Sequence, residues 1–88
     1  MSTLHDQFEA AQVAVKALNT KPGNFDLLAL YANYKQATDG DADGNRPSMT
    51  DFVGRAKYDA WAALSGTSKN EAMQNYVDLV NRLVDQDQ

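Results

Sequence analysis

The chain has no cysteine, which excludes a disulfide framework and any thiolate metal site. That usage fits a reducing cytoplasm. It also has no long apolar run. No stretch could span a bilayer, and the start "MSTLHDQFEAAQV" lacks the basic region and continuous apolar segment of a signal peptide. No segment alternates apolar and polar residues long enough to read as a strand, and no glycine-rich phosphate loop is present. Histidine occurs once, at His5 near one terminus, and no serine stands in a nucleophile-elbow setting, so catalytic residues are not expected. Positive charge is the minority sign. Eight basic residues face twelve acidic ones, for a net charge of −4, which argues against general attraction to nucleic acid or anionic membrane.

What is present is helical periodicity. With 88 residues and 43% hydrophobic content, one domain over 1–88 with one core is expected. Leu4, Phe8, Ala11, Val15 and Leu18 step by four, three, four and three, which predicts a first helix from about Leu4 to Leu18. Thr3 and Asp6 resemble a capping box at its start, and "NTKPGN" ends it through Pro22 and Gly23. Asn24 is the expected N-cap of a second helix, "FDLLALYANYKQAT". That helix carries two rows, one of Leu27, Leu30, Tyr34 and Ala37, the other of Leu28, Tyr31 and Lys35. Two rows predict two packing partners, or one partner and one ligand.

Ser48 followed by Asp51 predicts the start of a third helix ending near Gly66. "SKNE" at Ser68 to Glu71 predicts the start of a fourth, whose stripe is Met73, Tyr76 or Val77, Val80, and Leu83 or Val84. Between helices two and three lies "DGDADGNRPSMTDF". Asp39, Asp41, Asp43 and Gly44 open like an EF-hand loop, but the closing positions hold Arg46 and Thr50 with Pro47 between them. No bidentate glutamate closes the site and Arg46 opposes a cation, so metal binding is not expected and the segment reads as a solvated acidic turn. The expected fold is all-α.

Four tyrosines and several lysines stand on helices beside apolar positions. Tyr31 and Lys35 share one face of helix two, with Lys57 on helix three, Lys16 on helix one and Tyr76 on helix four. Spacing alone leaves two readings open. In one, these groups converge on a rim suited to phosphate and a flat heterocycle. In the other, each lysine lies along its own helix and each tyrosine is half core.

The segments "YANYKQATDGD" and "RPSMTDFVGRAKYDAWAALSGTSKNEAM" strongly resemble the acyl-CoA-binding protein family, also called the diazepam-binding inhibitor family. A Tyr-x-x-Tyr-Lys-Gln-Ala-Thr pattern is matched by Tyr31, Tyr34, Lys35, Gln36, Ala37 and Thr38, and a second pattern is matched from Arg46 through Trp61. The likeness extends from Phe8 to about Val80. In that family the acidic stretch is a connection between helices, which agrees with the rejection of a calcium loop.

The resemblance implies a four-helix bundle with up-down-down-up topology and non-covalent binding of long-chain acyl-CoA esters. It implies a carrier and pool former that shields the thioester, with no catalytic residues and no cofactor. Carried onto this chain, Tyr31, Lys35 and Lys57 hold the phosphorylated ribose. Tyr34 and Tyr76 lie against the nucleotide, and Lys16 assists from helix one. Phe8, Gln12, Leu27 and Leu28 border the acyl channel. The expected partner is the acyl-CoA ligand alone, with transient delivery contacts to membranes or enzymes, no nucleic acid, no stable membrane insertion, a monomeric state and a cytoplasmic location. The chain departs from common family choices at Val53, often lysine, at Tyr58, often tryptophan, and at Asn33 and Arg55.

Two other classes fit a small acidic helical protein. An acyl carrier protein needs a serine at a helix start within a motif such as Asp-Ser-Leu, and Ser2, Ser48, Ser65 and Ser68 all lack it. A helical interaction module, or a precursor of a peptide ligand, is the third class.

Overall fold

The computed structural model describes residues 3–87 of the 88-residue chain, so Met1, Ser2 and Gln88, including one of the four serines weighed above, lie outside the described residues. Among the described residues, regular structure consists of α1 (Leu4–Lys16), α2 (Asn24–Asp39), α3 (Phe52–Ala62) and α4 (Lys69–Gln86). The expected all-α class is observed. Thr3 and Asp6 make both arms of the capping box, with the Asp6 N–H donating to Thr3 Oγ1 at 3.0 Å and the Thr3 N–H to Asp6 Oδ2 at 3.4 Å. At α4, the Ser68 hydroxyl accepts from the Glu71 N–H at 3.0 Å.

Several helix boundaries differ from expectation. Helix α1 closes at Lys16 rather than Leu18, because the Ala17 N–H turns back to the Ala14 carbonyl at 3.1 Å. Asn24 is inside α2 rather than its cap. The Gly23 carbonyl already accepts from the Leu27 N–H at 2.9 Å, so the cap moves to a residue with no side chain. Helix α3 starts at Phe52 rather than Ser48. The Asp51 carboxylate captures the Gly54 N–H at 3.0 Å, while the Ser48 carbonyl only closes a turn with the Asp51 N–H at 3.0 Å. After Ala62 the chain tightens into successive turns through the Ser65 N–H and Thr67 N–H, so the third helix also stops short of Gly66.

Helix directions follow from paired landmarks. The Phe8 ring meets Tyr76 edge-on at 5.1 Å, and the end of α4 holds the end of α1 through Asp87, whose carboxylate accepts from the Asn19 N–H at 2.8 Å and the Thr20 N–H at 3.0 Å. Helices α1 and α4 therefore run parallel. Arg82 reaches Asp26 at 2.8 Å and the Asn75 amide reaches Asn33 at 3.3 Å, which sets α2 antiparallel to α4. Leu27 and Leu28 near the start of α2 face Phe52 and Val53 at the start of α3. At the other end, the Trp61 indole N–H donates to the Gly40 carbonyl at 2.8 Å, so α2 and α3 run parallel. The order is up, down, down, up.

Helix α2 is the centre of this arrangement. It packs on α4 from one side and on α3 from the other, while α1 packs on α4. Leu30 and Ala37 of its first row join Phe8, Ala11, Ala72, Tyr76, Val77, Val80 and Leu83 in the core. Leu28 of the second row lies against α3 beside Ala32. Of the expected α4 stripe, Tyr76, Val77, Val80 and Leu83 are buried, Met73 packs against the core, and Val84 faces solvent.

Candidate ligand-binding groove

Two grooves, each of about 360 Å³, meet on α2. The first is lined by Val15, Pro22, Leu30, Tyr31, Tyr34 and Tyr76. The second lies between α2 and α3, where Leu28, Phe52, Val53 and Ala56 give an apolar wall and Asn24 and Lys57 give its polar groups. Leu27 lines both, so one side chain joins them. The i, i+3, i+4 and i+7 relations of Leu27, Leu30, Tyr31 and Tyr34 put all four on one side of α2.

The tyrosine wall is held by ring contacts. Phe8 is buried with its ring stacked on Tyr34 at 5.9 Å and edge-on to Tyr76, while Tyr34 and Tyr76 are 6.4 Å apart. Such pairs contribute about 0.5–1.5 kcal/mol each beyond area burial. Burial of Tyr76 raises the pKa of its phenol, with the neighbouring Tyr34 adding to the shift, so this hydroxyl stays protonated and able to donate. Tyr34 is more open, at 39% exposure, and presents its ring to the groove.

Cations stand beside this wall. The Lys57 ammonium, from the second groove, lies 5.4 Å from the ring centroid of Tyr31, which lines the first. Lys35, one turn beyond Tyr31, hydrogen-bonds to Asp39 and sits 4.9 Å from the Trp61 ring centroid. Its pKa is raised, chiefly by that hydrogen bond, so it remains a cation at physiological pH.

The structure thus brings Tyr31, Tyr34 and Tyr76 together around the first groove, with Lys57 of the second groove against the Tyr31 ring and Lys35 one turn away. Lys16 is exposed in the last turn of α1, next in sequence to the groove residue Val15. Leu27 and Leu28 line grooves directly. Phe8 stands one layer behind, touching the groove through Tyr34 and Tyr76. Gln12 is half-buried, and its amide donates to the Phe8 carbonyl at 3.4 Å. Val15, Pro22 and Leu30, which complete the first groove, were not singled out from the sequence as site residues.

The positions that depart from common family choices have visible roles. Val53, 67% exposed, adds an apolar side chain to the second groove. The Tyr58 hydroxyl donates to the Gly44 carbonyl at 3.2 Å and its ring meets Trp61 edge-on at 6.3 Å, so it pins the α2–α3 loop. Asn33 bridges α2 to α4 through Asn75, and Arg55 lies close enough to Asp59 to help depress its pKa. In the acidic loop, Asp41 accepts from the Gln36 amide at 2.8 Å and the Gly66 N–H at 2.9 Å, while Arg46 is bidentate to Asp59. His5 pairs with Glu9 at 3.5 Å on the exposed face of α1.

A small up-down-down-up bundle with a tyrosine-lined groove meeting an apolar, lysine-edged one defines a class of small-ligand binding proteins. The chain belongs to the acyl-CoA-binding protein family, whose model matches residues 5–80. It is 45% identical over 83 residues to an acyl-CoA-binding protein homolog of Manduca sexta, covering 93% of this chain and 92% of that protein. It is also 49% identical over 83 residues to rat enoyl-CoA delta isomerase 2, but spans only 21% of that protein's length. The crystal structure of Oryza sativa acyl-CoA-binding protein 2 superposes with a TM-score of 0.90 at 40% identity, covering 94% of this chain and 90% of that one.

Proposed function

We propose that this protein binds long-chain fatty acyl-CoA esters non-covalently, shields the thioester and carries or pools the ester. The observation that carries this reading is the junction at Leu27. It joins a groove lined by three tyrosines to one whose wall is apolar apart from Asn24 and Lys57, with the Lys57 ammonium standing over the Tyr31 ring between them. A ligand with an anionic, aromatic head and a long alkyl tail complements that pairing.

The head group carries phosphates and adenine. Charge-assisted contacts to phosphate contribute about 1.5–3 kcal/mol each. Stacking of a base on a tyrosine ring contributes about 1–3 kcal/mol. Tyr31, Lys35 and Lys57 are assigned to the phosphorylated ribose, Tyr34 and Tyr76 to the nucleotide, and Lys16 to support from α1. The tail is assigned to the side bordered by Leu27 and Leu28, with Phe8 and Gln12 backing the wall. Each methylene removed from water contributes up to about 0.8 kcal/mol, so two more buried methylenes tighten binding about tenfold. Immobilising ligand and tail offsets part of this sum.

The net charge of −4 makes a local cationic edge necessary for an anionic ligand and disfavours adhesion to anionic membranes. Among the described residues, no helix is long and apolar enough to cross a membrane. Our reading is of a monomeric, cytoplasmic, non-enzymatic carrier that delivers its ligand in transient encounters.

Calorimetry with palmitoyl-CoA, free CoA and palmitate tests it. Tight binding of the ester, much weaker binding of CoA and little binding of palmitate are expected. Equal affinity for ester and palmitate overturns the head-group assignment.

A further inference from the structure

The Lys35 ammonium already has an anionic partner. Asp39 closes α2 one turn after it, at the i, i+4 position, and the ammonium donates a hydrogen bond to this carboxylate. The same ammonium rests beside the Trp61 ring and lies close to the phenols of Tyr31 and Tyr34. The pair is accessible, with the Lys35 side chain 27% and the Asp39 side chain 49% exposed, so an anion from solution can reach it. Lys69, in the first turn of α4, also contributes positive charge at Asp39. A cation therefore remains near the carboxylate when Lys35 turns away.

We propose that Asp39 is a tethered competitor for the ligand phosphate, setting affinity and speeding release. This rests on the assignment of Lys35 to the head-group edge made above. A phosphate that engages Lys35 competes with a carboxylate already held there. The displaced carboxylate cannot diffuse away, because it is fixed four residues along the same helix. When the phosphate contact loosens, Asp39 recaptures the ammonium before the phosphate can return. The contact is thus an exchange of one anion for another, which weakens net binding while leaving the site charge-balanced when empty.

The test compares the parent protein with Asp39→Asn, Lys35→Ala, the double variant, and Asp43→Asn, an exposed acid in the loop after α2 that is not paired with Lys35. Palmitoyl-CoA is the probe, with affinity by calorimetry and dissociation by stopped flow at low ionic strength. Asp39→Asn is expected to tighten binding about fivefold, mainly through slower dissociation. In the Lys35→Ala background the same change is expected to shift affinity by less than about twofold, as is Asp43→Asn alone. Unchanged or weaker binding by Asp39→Asn overturns the proposal. Equal tightening by Asp43→Asn, equal tightening without Lys35, or a gain confined to association rate also overturns it, since each reports only the loss of a negative charge. If the parent does not bind, or Lys35→Ala binds as tightly as the parent, the head-group assignment itself fails. That result is distinct from failure of Asp39→Asn in a protein that needs Lys35.

Discussion

Lys57 and Lys35 have the same chemistry in different settings. Lys57 is exposed and rests against the face of Tyr31, so its ammonium is available beside the second groove. Lys57→Ala is expected to weaken palmitoyl-CoA binding about tenfold in calorimetry, on the magnitude of one charged contact, with the thermal midpoint unchanged because an exposed side chain is lost. Tyr31 and Lys35 were legible from their i, i+4 spacing and from the matched motif. The Lys35–Asp39 pair was written in the same way, four residues apart. It went unread because Asp39 also begins the acidic run that imitates a calcium loop. Residue spacing names possible partners, and packing decides which one is taken.

Elements were legible where local signals were strong. The Thr3–Asp6 capping box, the Ser68 cap and the buried stripe of α4 needed no tertiary information. The start of α3 did. Ser48 and Asp51 offer competing caps three residues apart, and only the reach of the Asp51 carboxylate to the Gly54 N–H decides between them. The walls supplied by Val15, Pro22 and Leu30 were equally hidden, since any apolar residue at those positions fits a core until the gap between helices is known. A different gap, between α2 and α3, is fixed at its far end by the bond from the Trp61 indole to the carbonyl of Gly40, a residue whose φ of 85° suits glycine. Trp61→Phe keeps most of the ring packing and removes the donor. A loss of about 1 kcal/mol is expected in denaturant unfolding, checked by circular dichroism because the chain has a single tryptophan.

At the scale of the whole molecule, parallel α1 and α4 are closed at one end by Asp87. Its carboxylate lies below the usual range because the Asn19 N–H, and then the Thr20 N–H, hydrogen-bond to its charged form. A depressed carboxylate contributes stability that is present above its unfolded pKa of about 4 and is lost as pH falls through the folded value. Asp87→Asn is therefore expected to melt below the parent at pH 7, with the difference fading as the pH falls below 4. A difference that persists at pH 2.5 in thermal scans contradicts the linkage. Asp41 and Asp59 are depressed in the same direction, by the Gly66 N–H and Gln36 amide and by Arg46 respectively, so the parent itself is expected to lose stability over this interval. None of these long-range clasps is visible in local sequence, because each joins segments brought near only by the bundle. Leu27 has a different consequence. A guest that fills both furrows must be draped across its single isobutyl group, so the distance between the guest's ionic end and its oily end is gauged at that one ridge.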